Sequence, residues 1–216
     1  MSKKIAVVLA GCGVYDGSEI HEAVLTLLAL HRQGATYQCY APDIDQAHVI
    51  NHMTGDETGE TRNVLIEASR IARGDIKPLS ELSADQADAV IFPGGFGVAK
   101  NLSSFAFEGP NCTVNEDMAR VVKEFVDAGK PIGALCISPA IIAKVLNGVK
   151  LTIGQDEGTA EAIEAMGCSH IKTDHGEIVV DEATKIVTTP CYMLDANIGQ
   201  IADGAEATVK KVLELI

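Results

Sequence analysis

Hydrophobic positions fall into two rhythms along the chain, and the alternation between them predicts the architecture. Ile5-Ala6-Val7-Val8-Leu9-Ala10 is apolar at every position and is bounded by Gly11 and Gly13. A run apolar on both faces predicts a strand covered on both sides, as in a parallel sheet. Asp88-Ala89-Val90-Ile91-Phe92, stopped by Pro93-Gly94-Gly95, and Pro131-Ile132-Gly133-Ala134-Leu135 repeat that form. Between these runs the period becomes helical. Leu25, Leu28 and Leu30 precede the stop at Gly34, Val64, Leu65, Ala68 and Ile71 lie within Thr61 to Ala72, and Val121, Val122 and Phe125 precede Gly129. Thr159 to Met166 and Asn197 to Ile216 predict two further helices. Asp16 with Glu19, and Thr113 with Glu116, have the spacing of a capping box, so Asp16 and Thr113 are the expected N-caps. Tyr37 to Tyr40 and Leu151 to Ile153 read as short strands. Ile178 to Val180 and Lys185 to Thr188, flanking Asp181 to Thr184, predict a β-hairpin. Strands alternating with helices predict a three-layer α/β sandwich with a mostly parallel central sheet and a late hairpin. A single domain over residues 1–216 is expected, with Pro42 to Asp56 and Asn101 to Thr113 as elaborations.

Composition removes several functions. Lys+Arg 17 against Asp+Glu 30 leaves a formal net charge of −13, which disfavours a phosphate backbone, so no nucleic-acid partner is expected. The longest apolar helical candidate, Ala23 to Leu30, is far shorter than the roughly 18–20 residues a membrane helix needs, so no membrane partner is expected. Met1-Ser2-Lys3-Lys4 runs straight into an apolar strand without a cleavage signal, and a cytoplasmic protein is expected. The six cysteines, Cys12, Cys39, Cys112, Cys136, Cys168 and Cys191, include no C-x-x-C pair. Free thiols and no metal site follow from that spacing.

In an open parallel sheet, ligands bind beyond the carboxyl ends of the strands. Three segments meet that edge: Gly11 to Ser18, Pro93 to Asn101, and Cys136 to Pro139. Cys136 stands between a strand and the helix that Ser138-Pro139 starts, the place of a nucleophile elbow. A helix N-terminus there is expected to lower the thiol pKa and favour the nucleophilic thiolate. A free cysteine is equally at home as a small buried hydrophobe. Gly94 and Gly95 offer backbone N–H groups to an oxyanion, because glycine permits close approach and positive φ.

Pro93-Gly94-Gly95 after an apolar strand, together with the strand-Cys-helix elbow, resembles the PfpI, class I glutamine amidotransferase-like superfamily. Gly11-Cys12-Gly13-Val14-Tyr15-Asp16-Gly17-Ser18-Glu19-Ile20-His21-Glu22, Thr61 to Ala68 and Pro93 to Leu102 are similar to ElbB-type proteins, linked to isoprenoid biosynthesis and to glyoxalase activity. The resemblance implies a flavodoxin-like sandwich, a homodimer, and a cysteine paired with a glutamate of the first helix. That glutamate falls on Glu22, twelve residues before Gly34, with Glu19 second. Cys12 and Asn101 are further candidates. The superfamily's protease-like and amidotransferase members carry a histidine after the cysteine. Position 137 is isoleucine here, leaving only His170 and His175 as distant candidates. The implied chemistry is therefore a Cys136–Glu22 glyoxalase acting on a small aldehyde or dicarbonyl, without cofactor, metal or glutathione. Amides near Gly95 and Ile137 would hold the oxyanion.

Two other readings stay open. Cys136 also suits a non-catalytic redox sensor or partner-binding role. The Gly11 to Gly17 loop resembles a dinucleotide fingerprint, although its G-x-G-x-x-x-G spacing carries one residue too many and no acidic residue closes the second strand.

Overall fold

Residues 2–216 are described by a computed structural model, and the continuous apolar runs lie at its centre. β1 (Lys4–Val8), β4 (Ala89–Phe92) and β5 (Ile132–Leu135) are the inner strands of a seven-stranded sheet. Its remaining members are β2 (Thr36–Ala41), β3 (Ile76–Pro78), β8 (Val179–Asp181) and β9 (Ile186–Thr189), in the order β3-β2-β1-β4-β5-β9-β8. Every neighbouring pair is parallel except β8–β9, the expected hairpin at one edge. β6 (Lys150–Leu151) and β7 (Ser169–His170) form a separate parallel pair.

The period-2 geometry of a strand divides each apolar run between two cores. Ile5, Val7 and Leu9 face one side with Ile91 and Leu135, whereas Ala6, Val8 and Ala10 face the other with Val90, Phe92 and Ile132. The first core is closed by α1 (Ile20–Arg32), α2 (Val64–Ala72) and α8 (Ile198–Leu215). The second is closed chiefly by α5 (Glu116–Asp127) and α6 (Ser138–Val145), with Ile163 of α7 (Glu157–Ala165). Two short helices, α3 (Phe96–Lys100) and α4 (Phe105–Glu108), follow β4. The fold is the expected flavodoxin-like sandwich.

Both expected N-caps move. α1 is capped by Glu19, whose carboxylate accepts the Glu22 N–H at 2.7 Å. Asp16 instead accepts the Ile50 N–H at 2.7 Å and so anchors the loop after β2. α5 is capped by Asn115, which takes the N–H groups of Asp117 and Met118, while the Thr113 N–H donates to Ser104 Oγ. In each case the acceptor nearest the first turn displaces the residue chosen by pattern. Among the described residues, no helix is long and apolar enough to cross a membrane.

Candidate active site

Cys136 directly follows β5, and its backbone lies at φ 60°. That left-handed conformation costs a non-glycine residue about 1 kcal/mol or more and persists only where its surroundings enforce it. Here the Cys136 N–H continues the sheet by donating to Thr189 O at 3.0 Å. Two residues on, Ser138 Oγ donates to Pro93 O at 2.9 Å and ties the elbow to the loop after β4. The Gly95 and Ile137 N–H groups and the Glu22 carboxyl are thereby the groups that act on the thiol.

Glu22 is completely buried. It occupies the position from which a capping-box glutamate reaches back to the N-cap N–H. That N–H is already taken, because Glu19 N donates to Gly94 O at 2.8 Å. Glu22 therefore turns inward, where Oε2 accepts from Gly94 N at 2.9 Å and Oε1 from Tyr192 N at 3.2 Å. Gly94 must be glycine for this approach. A Cβ there would lie 2.4 Å from Cys136 Cβ and 2.8 Å from Glu22 Oε2. Gly95, at φ +106°, would place a Cβ 2.3 Å from Glu19 N.

Burial, reinforced by the neighbouring Glu19, pushes the Glu22 carboxyl up to about 8, against the pull of its two amide donors. Burial and Glu22 likewise push the Cys136 thiol well above the usual thiol range, while the Gly95 and Ile137 N–H groups pull it back in part. The expectation of a thiol simply lowered by a helix N-terminus is thus corrected: desolvation and a nearby acid outweigh two amide donors. The two groups titrate as one coupled pair.

Cys136 opens onto a cavity of about 470 Å³ whose wall includes Glu19, Gly95, Ile137 and Tyr192. Glu22 is not part of that wall, and Tyr192, which is, donates its N–H to it. The Gly94 N–H, expected among the oxyanion donors, is spent on Glu22, which leaves Gly95 and Ile137 of the three expected donors. Cys12 does not line the cavity; it is half-buried, and burial followed by Glu67 raises its thiol. Asn101 is a clamp, not a reactive group. Its Nδ2 donates to Ala10 O and Asp16 O at 3.0 and 2.9 Å, and its Oδ1 accepts the Ala47 N–H at 2.9 Å.

Neither distant histidine reaches the cavity wall. His170 accepts weakly from Ile153 N at 3.4 Å, and His175 lies beside Asp174. The histidine that does approach is one the sequence reading passed over. His21 Nδ1 lies 2.8 Å from the Tyr192 hydroxyl, and Tyr192 both lines the cavity and holds Glu22. Buried Cys191, just before it, also has a left-handed backbone, at φ 44°. Both lie beyond the carboxyl end of β9, the parallel neighbour of β5, and the strand-end rule applied to that strand would have found them.

The Gly11 to Gly17 loop is packed from within, which removes the dinucleotide reading. A Cβ on Gly17 would meet Cys12 N at 2.2 Å, one on Gly13 would meet His52, and Gly97 N donates to Gly17 O at 2.8 Å. The glycines serve chain-to-chain contact instead of a pyrophosphate. Among the described residues, no group of three or more His, Cys, Asp or Glu side chains is placed to hold a metal ion.

Comparison with known proteins agrees with this architecture. A human protein, "Glutamine amidotransferase-like class 1 domain-containing protein 3, mitochondrial", is 53% identical over 222 residues, covering 98% of this chain and 83% of its own length. Its name overturns the expected cytoplasmic location. A targeting segment is a detachable address outside the folded domain, so fold and composition carry no trace of it. The crystal structure of an isoprenoid biosynthesis protein with an amidotransferase-like domain from Ehrlichia chaffeensis superimposes with a TM-score of 0.93 at 35% identity, covering 99% of both chains. Glyoxalase III from Candida albicans shares the fold, with a TM-score of 0.64 at 16% identity over 99% of this chain and 97% of its own. The DJ-1/PfpI family profile matches residues 3–190, and on that match and the architecture beneath it the chain belongs to the DJ-1/PfpI family.

Proposed function

We propose that this protein is a cofactor-independent glyoxalase-type enzyme that converts small dicarbonyls to 2-hydroxy acids through Cys136 and Glu22. The observation that carries the proposal is Cys136 at a cavity wall, packed against the same Gly94 that donates its N–H to the buried Glu22 carboxyl. Glu22 takes the thiol proton, and the sulfur adds to the aldehyde carbon of the dicarbonyl, forming an S–C bond and an oxyanion. Gly95 and Ile137 N–H groups receive that charge, and the proton returned from Glu22 completes a hemithioacetal. The hydrogen on that carbon leaves as a proton and is redelivered to the adjacent carbonyl carbon, while the hemithioacetal hydroxyl proton passes to the second oxygen, so one carbon is oxidised to the thioester level and the other reduced to a carbinol. The product is a thioester of a 2-hydroxy acid. Water cleaves the S–C bond and regenerates the thiol, and the net change is addition of one water to the dicarbonyl. No external oxidant or reductant enters.

The Tyr192 hydroxyl, held by His21, is the neutral polar group of the wall best placed to steady the second carbonyl oxygen. Proteolysis and glutaminase chemistry fit poorly, because Ile137 stands where a histidine base would follow the cysteine. A homodimer is part of the same proposal, with sedimentation velocity as its check. The direct test is glycolate formation from glyoxal by the purified protein. The proposal expects turnover that Cys136→Ser abolishes; undiminished glycolate formation by that variant would refute it.

A further inference from the structure

The cavity is larger and differently charged than glyoxal requires. At about 470 Å³ it falls in the range of roughly 300–1,000 Å³ that takes drug-sized ligands, and a dicarbonyl of two carbons leaves most of it empty. Val14, Phe96, Phe105, Ile137 and Met193 supply an apolar wall. The charged side chains of the wall are Glu19 and Asp156, both acidic, and no Lys, Arg or His lines it. Glu19 is only 8% exposed, so solvent screens it poorly. Asp156 is solvent-exposed, and hydrogen bonds from Thr159 hold it below the usual carboxylate range.

The amide donors nearby do not reverse this balance. The Gly95 and Ile137 N–H groups act on the Cys136 thiol, and the Thr159 N–H at the start of α7 is taken by Asp156 at 2.8 Å. Lys100, which is not part of the wall, donates to Tyr15 O at 3.0 Å and lies 5.5 Å over the Phe96 ring. It is a half-buried cation already engaged with its neighbours.

We infer that the cavity selects uncharged carbonyl compounds with an apolar body, such as an aryl or branched-alkyl 2-oxoaldehyde, and rejects carboxylates, phosphates and diphosphates. This rests on Cys136 being the reactive centre of the site. A carboxylate approaching the sulfur meets Glu19 and Asp156, whereas an apolar body displaces water from the five-residue wall.

The test reads selectivity at the sulfur without requiring turnover. Iodoacetamide, iodoacetate and N-phenyliodoacetamide each alkylate Sγ with loss of iodide, and intact-mass and peptide analysis gives the rate at Cys136. Each rate is divided by that of 2-mercaptoethanol, which removes intrinsic reagent reactivity. The expected order is N-phenyliodoacetamide, then iodoacetamide, then iodoacetate, with the neutral amide favoured over the anion by about tenfold or more at low salt. Glu19→Gln and Asp156→Asn, which keep an acceptor oxygen at each cap, narrow that preference. Normalised rates equal to those of mercaptoethanol, or a preference for iodoacetate, would overturn the inference. Absence of 2-hydroxy acid from both glyoxal and phenylglyoxal would refute the glyoxalase reading while leaving the measured selectivity standing. Flat alkylation ratios beside active turnover would overturn the selectivity alone.

Discussion

A carboxyl with no water around it keeps its proton unless its neighbours supply enough hydrogen bonds, and at Glu22 the two sides nearly balance. Two amides donate to it, yet full burial and the Glu19 charge hold it at about 8. At neutral pH the Cys136–Glu22 pair is consequently a proton store rather than a preformed thiolate. Losing one proton leaves the other shared between oxygen and sulfur, and the Gly95 and Ile137 N–H groups favour the sulfur-centred charge as substrate arrives. Limiting iodoacetamide at pH 8 should therefore label Cys136 first among the six thiols, followed by peptide mapping. Faster labelling of Cys12 or Cys191 would place the nucleophile elsewhere. Cys136 and Gly95 stand out in the sequence because each sits at a local signal, a strand end or a glycine pair, whereas Glu22 is singled out only by the family resemblance, counted back from the helix stop at Gly34. Tyr192 was not legible, because its contact with Glu22 spans 170 residues and no local pattern encodes it.

At the scale of elements, what was legible follows from length and burial. β1, β4 and β5 are apolar at nearly every position because both faces are covered, so the sequence shows them plainly. β3 and β7 have three and two residues, too few for a period, and they are defined only by the strands they pair with, β2 and the equally short β6. The caps were misplaced for a related reason. Pattern identifies an acceptor near a helix start, but Asp16 is drawn away by Ile50 and Glu19 takes its place. The loop after β4 is the element on which the site depends most. Its Gly94 packs against Cys136, its Gly95 against the N-terminus of α1, and its Gly97 against Gly17. Gly94→Ala should destabilise the protein by ~1–3 kcal/mol through overpacking and separate Glu22 from the sulfur. Urea unfolding measures the first effect. An unchanged midpoint would mean that the loop yields more readily than its contacts indicate.

For the whole molecule, a buried acid with a raised pKa makes folding stability depend on pH. The folded state binds the Glu22 proton up to about 8, whereas the unfolded chain releases it near 4.5. This contribution is present in full below the unfolded value and is lost as pH rises through the folded one. Relative to Glu22→Gln, the native protein should lose a few kcal/mol, at most ~5, between pH 5 and pH 9. Urea titrations of both proteins across that range check the slope, and a constant difference would contradict the buried-acid account. Because the described residues form no three-ligand cluster, dicarbonyl turnover should also survive exhaustive chelation; recovery of lost activity by zinc alone would overturn that expectation. The most direct measurement of the Cys136–Glu22 chemistry is the pH–rate profile of 2-hydroxy acid formation, compared between the native protein and Glu22→Gln. Because the pair must give up a proton before sulfur can add, the native rate should rise with pH through an apparent pKa near 8. Glu22→Gln should turn over ~10²–10⁴-fold more slowly, with that step absent. A Glu22→Gln variant with native turnover and the same pH profile would contradict the account.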